Sequence, residues 1–365
     1  MEYVQERITT LHDLRNPTPD APTDRAAVVV PMTEREYNGL AAERVLSELE
    51  AVDPAKVVVP LRASAERVGS FADWLASFDL PLDVLWCNGP RVSELLADHG
   101  IDGERGKGRD VWLALGRAMS EEYVVVHDAD TKTYSRSYVP RLLFPLAHGH
   151  EFSKGYYARV EDNRLYGRLF RLFYAPLVRA LDDAYDAPLL RYLDAFRYAL
   201  AGEFAATSDV VGQLRIARTW GLEVSTLCDS FDAVGFDGSA QVDLGAYEHD
   251  HRSVGGPTGL SEMSGAVGAT LLRALAEHGV DVDYGTLPAQ YRDTAEGFVR
   301  QYAVDAAFNG LDYDTDSETS QVAAYADALR APSDDTRLPA WDAVSLTPSD
   351  VYDAATDDLA DVRRR

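Results

Sequence analysis

The alternation of short apolar runs with amphipathic segments is what most constrains this chain. Residues 26–30 form an apolar run of strand length that stops at Pro31, and residues 40–49 carry apolar side chains at three- and four-residue spacing. The runs 56–60 and 82–87 are strand-like, each followed by a helical pattern, at 65–78 and 90–99. A Gly- and charge-rich loop at 100–108 leads into a helix at 109–119 and then into the uninterrupted apolar run 123–126. Strands alternating with helices predict an α/β fold with a mixed, mostly parallel sheet covered by helices. In such sheets ligands bind beyond the carboxyl ends of the strands.

The rest of the chain reads as helical at 163–181, 189–200 and 208–218, followed by the segment 221–232 and a β-like run at 239–245. Helical patterns follow at 260–278, 288–309 and 320–329. The expected organisation is a leader over 1–24, one large domain over 25–275, a helical extension over 276–330 and a loosely attached acidic tail over 331–365. The large domain divides into halves at 25–130 and 131–275. With 46% hydrophobic residues the chain can bury a core of that size.

Charge narrows the partners. Lys and Arg number 35 against 60 Asp and Glu, a net charge of -25, which argues against nucleic acid or an anionic membrane surface as ligand. The lysines are Lys56, Lys107, Lys132 and Lys154, and Arg supplies the remaining basic residues. An acidic, lysine-poor composition of this kind suits a halophilic, high-salt cytoplasm, where ions screen self-repulsion. Cys87 and Cys228 lie far apart in apolar contexts, so neither a disulfide framework nor a thiolate metal site is expected. Without an apolar run of roughly 20 residues or a signal-like N-terminus, the expectation is a cytoplasmic protein.

Chemistry concentrates after the run 123–126, which ends in His127-Asp128-Ala129-Asp130. Two carboxylates one residue apart at a strand end suit a hard cation, Mg²⁺ or Mn²⁺, bridging the oxygens of a diphosphate. The same pattern also occurs as a solvated turn or a helix cap. Upstream, Gly106-Lys107-Gly108 offers backbone amides and one cation to a phosphate; downstream, Gln241 to Gly245 runs on to His249, His251 and Arg252.

These blocks, in order with Lys154-Gly155-Tyr156-Tyr157 and Arg159, Gly167-Arg168, Leu200 to Ala205, and Asp229 to Asp232, resemble the retaining glucosyl-3-phosphoglycerate synthases. The likeness to mannosylglycerate synthases is more distant. Both are glycosyltransferases of the GT-A fold, a Rossmann-like sheet that binds nucleotide sugars.

The resemblance implies a metal-dependent hexosyltransferase, glucose rather than mannose, acting from a nucleotide-sugar donor on a small anionic acceptor such as 3-phosphoglycerate. It implies Mg²⁺ or Mn²⁺ held by Asp128, Asp130 and His249, with Asp130 the direct ligand. Pro31, Glu34, Gly106, Lys107, Asp128 and Arg252 would bind the donor. Gly167, Arg168, Gly202 and Glu203 would meet the acceptor, and Glu203 with Asp130 would carry the chemistry. A homodimer and a product of compatible-solute type are also implied.

Departures from the family pattern are Trp86-Cys87-Asn88-Gly89 after the third strand, Phe170 in place of a hydroxyl residue, Tyr198-Ala199-Leu200, and Tyr247 in place of an arginine. A polyprenyl-phosphate sugar transferase, a nucleotidyltransferase and a non-catalytic binding protein are the alternatives. The first commonly brings membrane helices or a basic amphipathic surface. The second needs a Gly-rich loop after the first strand, where residues 31–37 contain no glycine.

Overall fold

The computed structural model describes residues 5–250, 257–332 and 334–364, without the side chains of 257–261. Eleven strands are formed by the described residues: β1 (Thr9–Leu11), β2 (Ala26–Val29), β3 (Met32–Thr33), β4 (Lys56–Arg62), β5 (Leu82–Trp86), β6 (Tyr123–Val126), β7 (Phe152–Ala158), β8 (Val160–Glu161), β9 (Arg164–Leu165), β10 (Phe204–Thr207) and β11 (Ser239–Ala246). Nine build the main sheet, in the order β1-β11-β7-β10-β6-β2-β4-β3 with β5 also on β4; β8 and β9 make a small hairpin.

β10 alone among the nine runs antiparallel to its neighbours, β6 and β7. The other pairings, β1/β11, β7/β11, β2/β4, β2/β6, β3/β4 and β4/β5, are parallel. The mixed, mostly parallel sheet expected from the sequence is therefore present.

Both faces of the sheet are covered, which explains why its strands are unbroken apolar runs rather than alternating ones. Val28, Val57, Val59 and Val125 pack with the helices Leu40–Val52 and Val68–Leu75 on one face. Val29, Val58, Val124 and Val126 pack with the helix Lys107–Ala118 and the helical C-terminal region on the other.

Several expectations are corrected. Residues 9–11 of the supposed leader form an edge strand in parallel register with Ala240–Val242. Residues 163–167 are not helical: Arg164 and Leu165 close the β8–β9 hairpin, and helix begins at Arg168 and runs into a π-helical turn, Leu169–Tyr174. β7 and β10 lack the apolar signature of the other strands, because β7 carries Ser153, Lys154 and Gly155 and β10 is short, with two alanines and a threonine among its four residues.

The tail over 331–365 is docked rather than loose. Leu338 and Ile216 exchange two backbone hydrogen bonds, of 2.8 and 3.2 Å. The Trp341 ring stacks on Trp112 at 4.2 Å, its Nε1 donating to the Trp112 carbonyl, while Trp112 Nε1 donates to that of Pro339. The final helix, Pro348–Arg363, opens with a Thr347/Asp350 capping box. Its Asp358 is buried and accepts from the backbone N–H groups of Arg91 and Val92, capping the helix Pro90–Asp98 from another part of the chain. A helix N-terminus attracts a carboxylate, which is why an acidic segment can be a structural one.

Candidate active site

The antiparallel β10 decides what meets what. Phe204 pairs with Val126, so Gly202 and Glu203, which precede β10, lie beside His127 and Asp128, which follow β6. The carboxyl ends of β2, β6, β7 and β11 reach the same edge and deliver Pro31, Asp128 and Asp130, Arg159, and His249. A cleft opens there. One cavity, of about 370 Å³, is lined by Pro31, Thr33, Glu36, Arg62, Lys107 and Asp128, with Asp130, Arg159 and His249 also on its wall. A second, of about 460 Å³, shares Lys107, Asp128, Arg159 and His249 and extends past Gly167, Phe170, Tyr198 and Leu200.

Asp130 and His249 come together, with Nδ1 3.2 Å from Oδ1. Backbone pairing holds them there: the Asp250 N–H donates to the Asp130 carbonyl and the Lys132 N–H to that of Glu248, both at 2.8 Å. A carboxylate oxygen and an imidazole nitrogen at a cleft wall are donors that would suit a Mg²⁺ or Mn²⁺ ion. Asp128 stands apart from this pair, because its carboxylate receives the Lys107 ammonium at 2.5 Å. Among the described residues no group of three His, Cys, Asp or Glu side chains is gathered as a metal cluster; of the three residues expected as ligands, Asp130 and His249 face each other and Asp128 faces Lys107.

Burial pushes Asp128 upward, but the adjoining Lys107 ammonium more than offsets it and holds the carboxyl below its ordinary value. For Lys107 burial acts downward, and Asp128 with Glu223 carries it above its ordinary value, so it stays charged. The glycines around it have a packing reason. A Cβ on Gly108 would fall 1.8 Å from the Ala217 carbonyl oxygen, and one on Gly106 2.6 Å from that of Arg218. Gly106 is the N-cap of the helix that Lys107 begins.

Glu203 is fully buried beneath the cleft and is not on the wall of either cavity. Its Oε1 accepts from the Tyr247 hydroxyl at 2.6 Å, and Oε2 is buried without a hydrogen bond among the described residues. Burial, then the nearby Asp128, raises its pKa. Tyr247, the residue that stands where the family pattern has an arginine, also accepts from Thr131 at 2.9 Å and stacks on Tyr157 at 3.8 Å. Gly202 is needed for room, since a Cβ there would lie 2.8 Å from Asp128 Oδ2. Behind Glu203, the buried Lys154 ammonium donates to the Ala201 carbonyl at 2.6 Å, with its pKa lowered by burial to about 8.

Other expected positions separate. Pro31 and Gly167 line the cleft. Glu34 does not: its carboxylate accepts from Ser64, and Glu36 occupies the wall instead, bonded to the Thr33 N–H and hydroxyl. Arg168 is on neither cavity wall. Its guanidinium donates to Glu318 at 2.8 Å and to Ser317, because helix Thr315–Ala326 packs against this turn. Arg171 is buried and bonded to the same Glu318. Arg252 lies outside the described residues.

Thr33, Glu36 and Arg62 on the donor side went unrecognised in the sequence, where nothing marks them. Arg159 stood inside a recognised block but without a role; its position just after β7, a strand with no clear signature, hid it.

No protein-family model matches the chain. It is 34% identical to the glucosyl-3-phosphoglycerate synthase of Methanococcoides burtonii, over 100% of this chain and 98% of that one. Identity to the Persephonella marina enzyme of the same name is 35%, over 88% and 87%. Among solved structures it is similar to glucosyl-3-phosphoglycerate synthase from Mycobacterium tuberculosis in complex with Mn²⁺, uridine-diphosphate-glucose and phosphoglyceric acid. That match has a TM-score of 0.57 and 26% identity, over 76% of this chain and 89% of that one. The same enzyme with Mg²⁺ and uridine-diphosphate matches with a TM-score of 0.56 at 26% identity, over 76% and 88%. With relatives of this identity matched along nearly their whole length on the same fold, the chain belongs to the glucosyl-3-phosphoglycerate synthase family.

Proposed function

We propose that this chain transfers glucose from a nucleoside-diphosphate glucose to the hydroxyl of 3-phosphoglycerate, with retention at the anomeric carbon. The observation that carries this is the pairing of Asp130 with His249, 3.2 Å apart, in a cleft that also holds Lys107 and continues into a second cavity. Similarity to glucosyl-3-phosphoglycerate synthases over the full chain favours it over a polyprenyl-phosphate transferase, a nucleotidyltransferase or a non-catalytic protein. Among the described residues no helix is long and apolar enough to cross a membrane.

A bound Mg²⁺ or Mn²⁺ supplies charge neutralisation for the departing diphosphate. Asp130 and His249 are the residues that would hold it. Lys107, kept charged by Asp128 and Glu223, adds a fixed positive charge at the start of its helix, where backbone N–H groups also favour an anion. Asp128 keeps that lysine in place. Pro31, Thr33 and Glu36 shape the donor wall. Glu203 acts from below, where its bond to Tyr247 ties the floor of the cleft to the segment that carries His249.

The acceptor hydroxyl needs orientation more than a strong base, and two adjoining cavities supply it by holding both substrates side by side. The acidic composition supports a cytoplasmic enzyme of a high-salt cell making a charged, compatible-solute-type glycoside; a homodimer rests on the family resemblance.

The test is a donor-by-acceptor screen in high salt, with Mg²⁺ and with Mn²⁺, using nucleoside-diphosphate glucoses and mannoses. Glucosyl-3-phosphoglycerate is the expected product. Transfer to a polyprenyl phosphate, or turnover of no nucleotide sugar at all, would overturn the assignment.

A further inference from the structure

Behind the cleft lies a charge that glucosyl transfer as described above does not use. Lys154 is 1% exposed, on β7 in the interior of the sheet, paired with Phe204 of β10 on one side and Gln241 of β11 on the other. An ammonium offers three N–H groups, and the acceptor it reaches among the described residues is the Ala201 carbonyl, at 2.6 Å. The Phe204 ring centroid is 5.8 Å away. A methionine of similar length would fill the same space without the cost of burying a charge. For folding alone, an ammonium is a poor choice there.

Its surroundings supply a reason. The charged groups that face it come from four other elements: Glu223 of the helix Leu222–Val234, Glu203 before β10, Asp128 after β6, and Lys107 at the start of its helix. Glu223 and Glu203 favour its charge most, Asp128 less, and the Lys107 ammonium opposes it. Lys107 already meets Asp128 at 2.5 Å and Glu223 at 3.7 Å. Two ammonium groups therefore balance three carboxylates. With Lys154 gone, Lys107 alone answers for all three, and a diphosphate meets a more negative site.

The same lysine grips the backbone that shapes the donor side. Ala201 is followed by Gly202, which stands so close to Asp128 that a Cβ would fall 2.8 Å from its Oδ2. The Gly155 N–H donates to the Glu203 carbonyl at 2.9 Å, fastening this turn to β7 as well. Where Ala201 sits thus decides where the partner of Lys107 can stand.

We propose that Lys154 is a positioning residue for the donor: its ammonium, gripping the Ala201 carbonyl behind Glu203, offsets the carboxylates around the cleft floor so that Lys107 can meet the diphosphate. The proposal rests on the nucleotide-sugar half of the functional reading above.

Calorimetric titration of the full chain with uridine or guanosine diphosphate, whichever the wild type binds, in Mg²⁺, tests it together with steady-state kinetics. Lys154→Met should weaken nucleoside-diphosphate binding about 10-fold and lower kcat about 10- to 100-fold, with the acceptor KM within about twofold. Its thermal midpoint should equal or exceed that of wild type, because a charge has left the core. A lysine kept only for structure predicts the reverse, a lower midpoint with unchanged binding by the folded fraction. Adding Glu203→Gln to Lys154→Met removes one carboxylate along with the ammonium, and nucleoside-diphosphate affinity should recover toward wild type.

A second readout is pH. Burial lowers the Lys154 pKa to about 8, against the pull of Glu223 and Glu203. The charge is present below that value and lost above it, so wild-type nucleoside-diphosphate affinity should fall as pH rises from about 7 to about 9. Lys154→Met should show no such fall. Lys56→Met, which removes a lysine paired with Glu121 at the start of β4, should bind and titrate as wild type does. Unchanged nucleoside-diphosphate binding in Lys154→Met, a lowered midpoint or failure of that variant to fold, or a pH profile parallel to that of wild type would each overturn the proposal. A wild-type chain that binds no nucleoside diphosphate would instead overturn the functional assignment on which it rests.

Discussion

Where the cleft runs beneath the ends of β2, β4 and β6 its wall is charged: Glu36, Arg62, Lys107, Asp110, Asp128 and Asp130. Where it runs past residues 167–170 and 198–200 the wall is Phe170, Tyr198 and Leu200 with Arg159. The two sides are also braced differently. Behind the charged side, Trp341 stacks on Trp112 of the helix that begins at Lys107, and Asp358 caps the helix that follows β5. Behind the aromatic side, Glu318 gathers Arg168 and Arg171. A nucleoside diphosphate carries concentrated charge and needs fixed charges to meet it. A small acceptor needs shape and one well-aimed contact, and an aromatic wall gives shape at low conformational cost.

The comparison can be broken experimentally, and the largest effect should come from the brace behind the charged side. Trp341→Ala removes a buried, stacked ring and should cost about 3–5 kcal/mol of stability in denaturant unfolding. In whatever folded fraction remains, the donor KM should rise more than the acceptor KM. Equal effects on both would mean that the sides are not separately supported.

Asp130→Ala should lower kcat by about two to three orders of magnitude and abolish Mn²⁺ binding followed by electron paramagnetic resonance. Retained Mn²⁺ affinity would remove Asp130 from the ligand pair.

Lys107→Met should lower kcat by about 100-fold. It also has an acid signature. Asp128 is held below its ordinary value of 3.8 despite burial, chiefly by Lys107. The stability it contributes is complete above that unfolded value and is lost as pH falls through the lower folded one. Without Lys107, burial is opposed by His249 and His127 alone and the folded value rises. The acid-side loss contributed by Asp128 should then vanish or reverse, so thermal stability of Lys107→Met should fall less steeply than that of wild type on descending from pH 7 to 3. Parallel profiles would show that the pair is not coupled as described.

The smallest effect sharpens the aromatic side. Glu318→Gln leaves two guanidinium groups sharing a neutral acceptor and should cost about 1–3 kcal/mol of stability, with the acceptor KM nearly unchanged. A large rise in that KM would mean that Arg168 reports on substrate after all.

Much of the charged side was legible because it comes from strands buried on both faces, whose apolar runs stand out and whose ends can be located to the residue, as at Val126 before Asp128. The aromatic side was less legible. β7 and β10 pair antiparallel through a short stretch, Phe152–Lys154 with Phe204–Ala206, and carry Lys154 and small residues where a strand signature would be apolar. The acidic tail misled because its charge hides a thin apolar stripe, Val351, Ala355 and Leu359 at helical spacing, and because its anchors on Trp112, Ile216 and a distant helix N-terminus are not local in the chain.

The sequence by itself determined the α/β alternation, the strand end bearing Asp128 and Asp130, and the set of blocks that carry the family resemblance, because each depends on residues close together in the chain. Tertiary structure alone decided that β10 runs against its neighbours and brings Gly202 beside Asp128, that Asp128 answers to Lys107 while Asp130 meets His249, and that Glu318 takes Arg168 while Arg159 enters the cleft. Those outcomes turn on which charged group finds a partner from another part of the chain. Burial makes such pairing compulsory, and linear spacing carries no record of it.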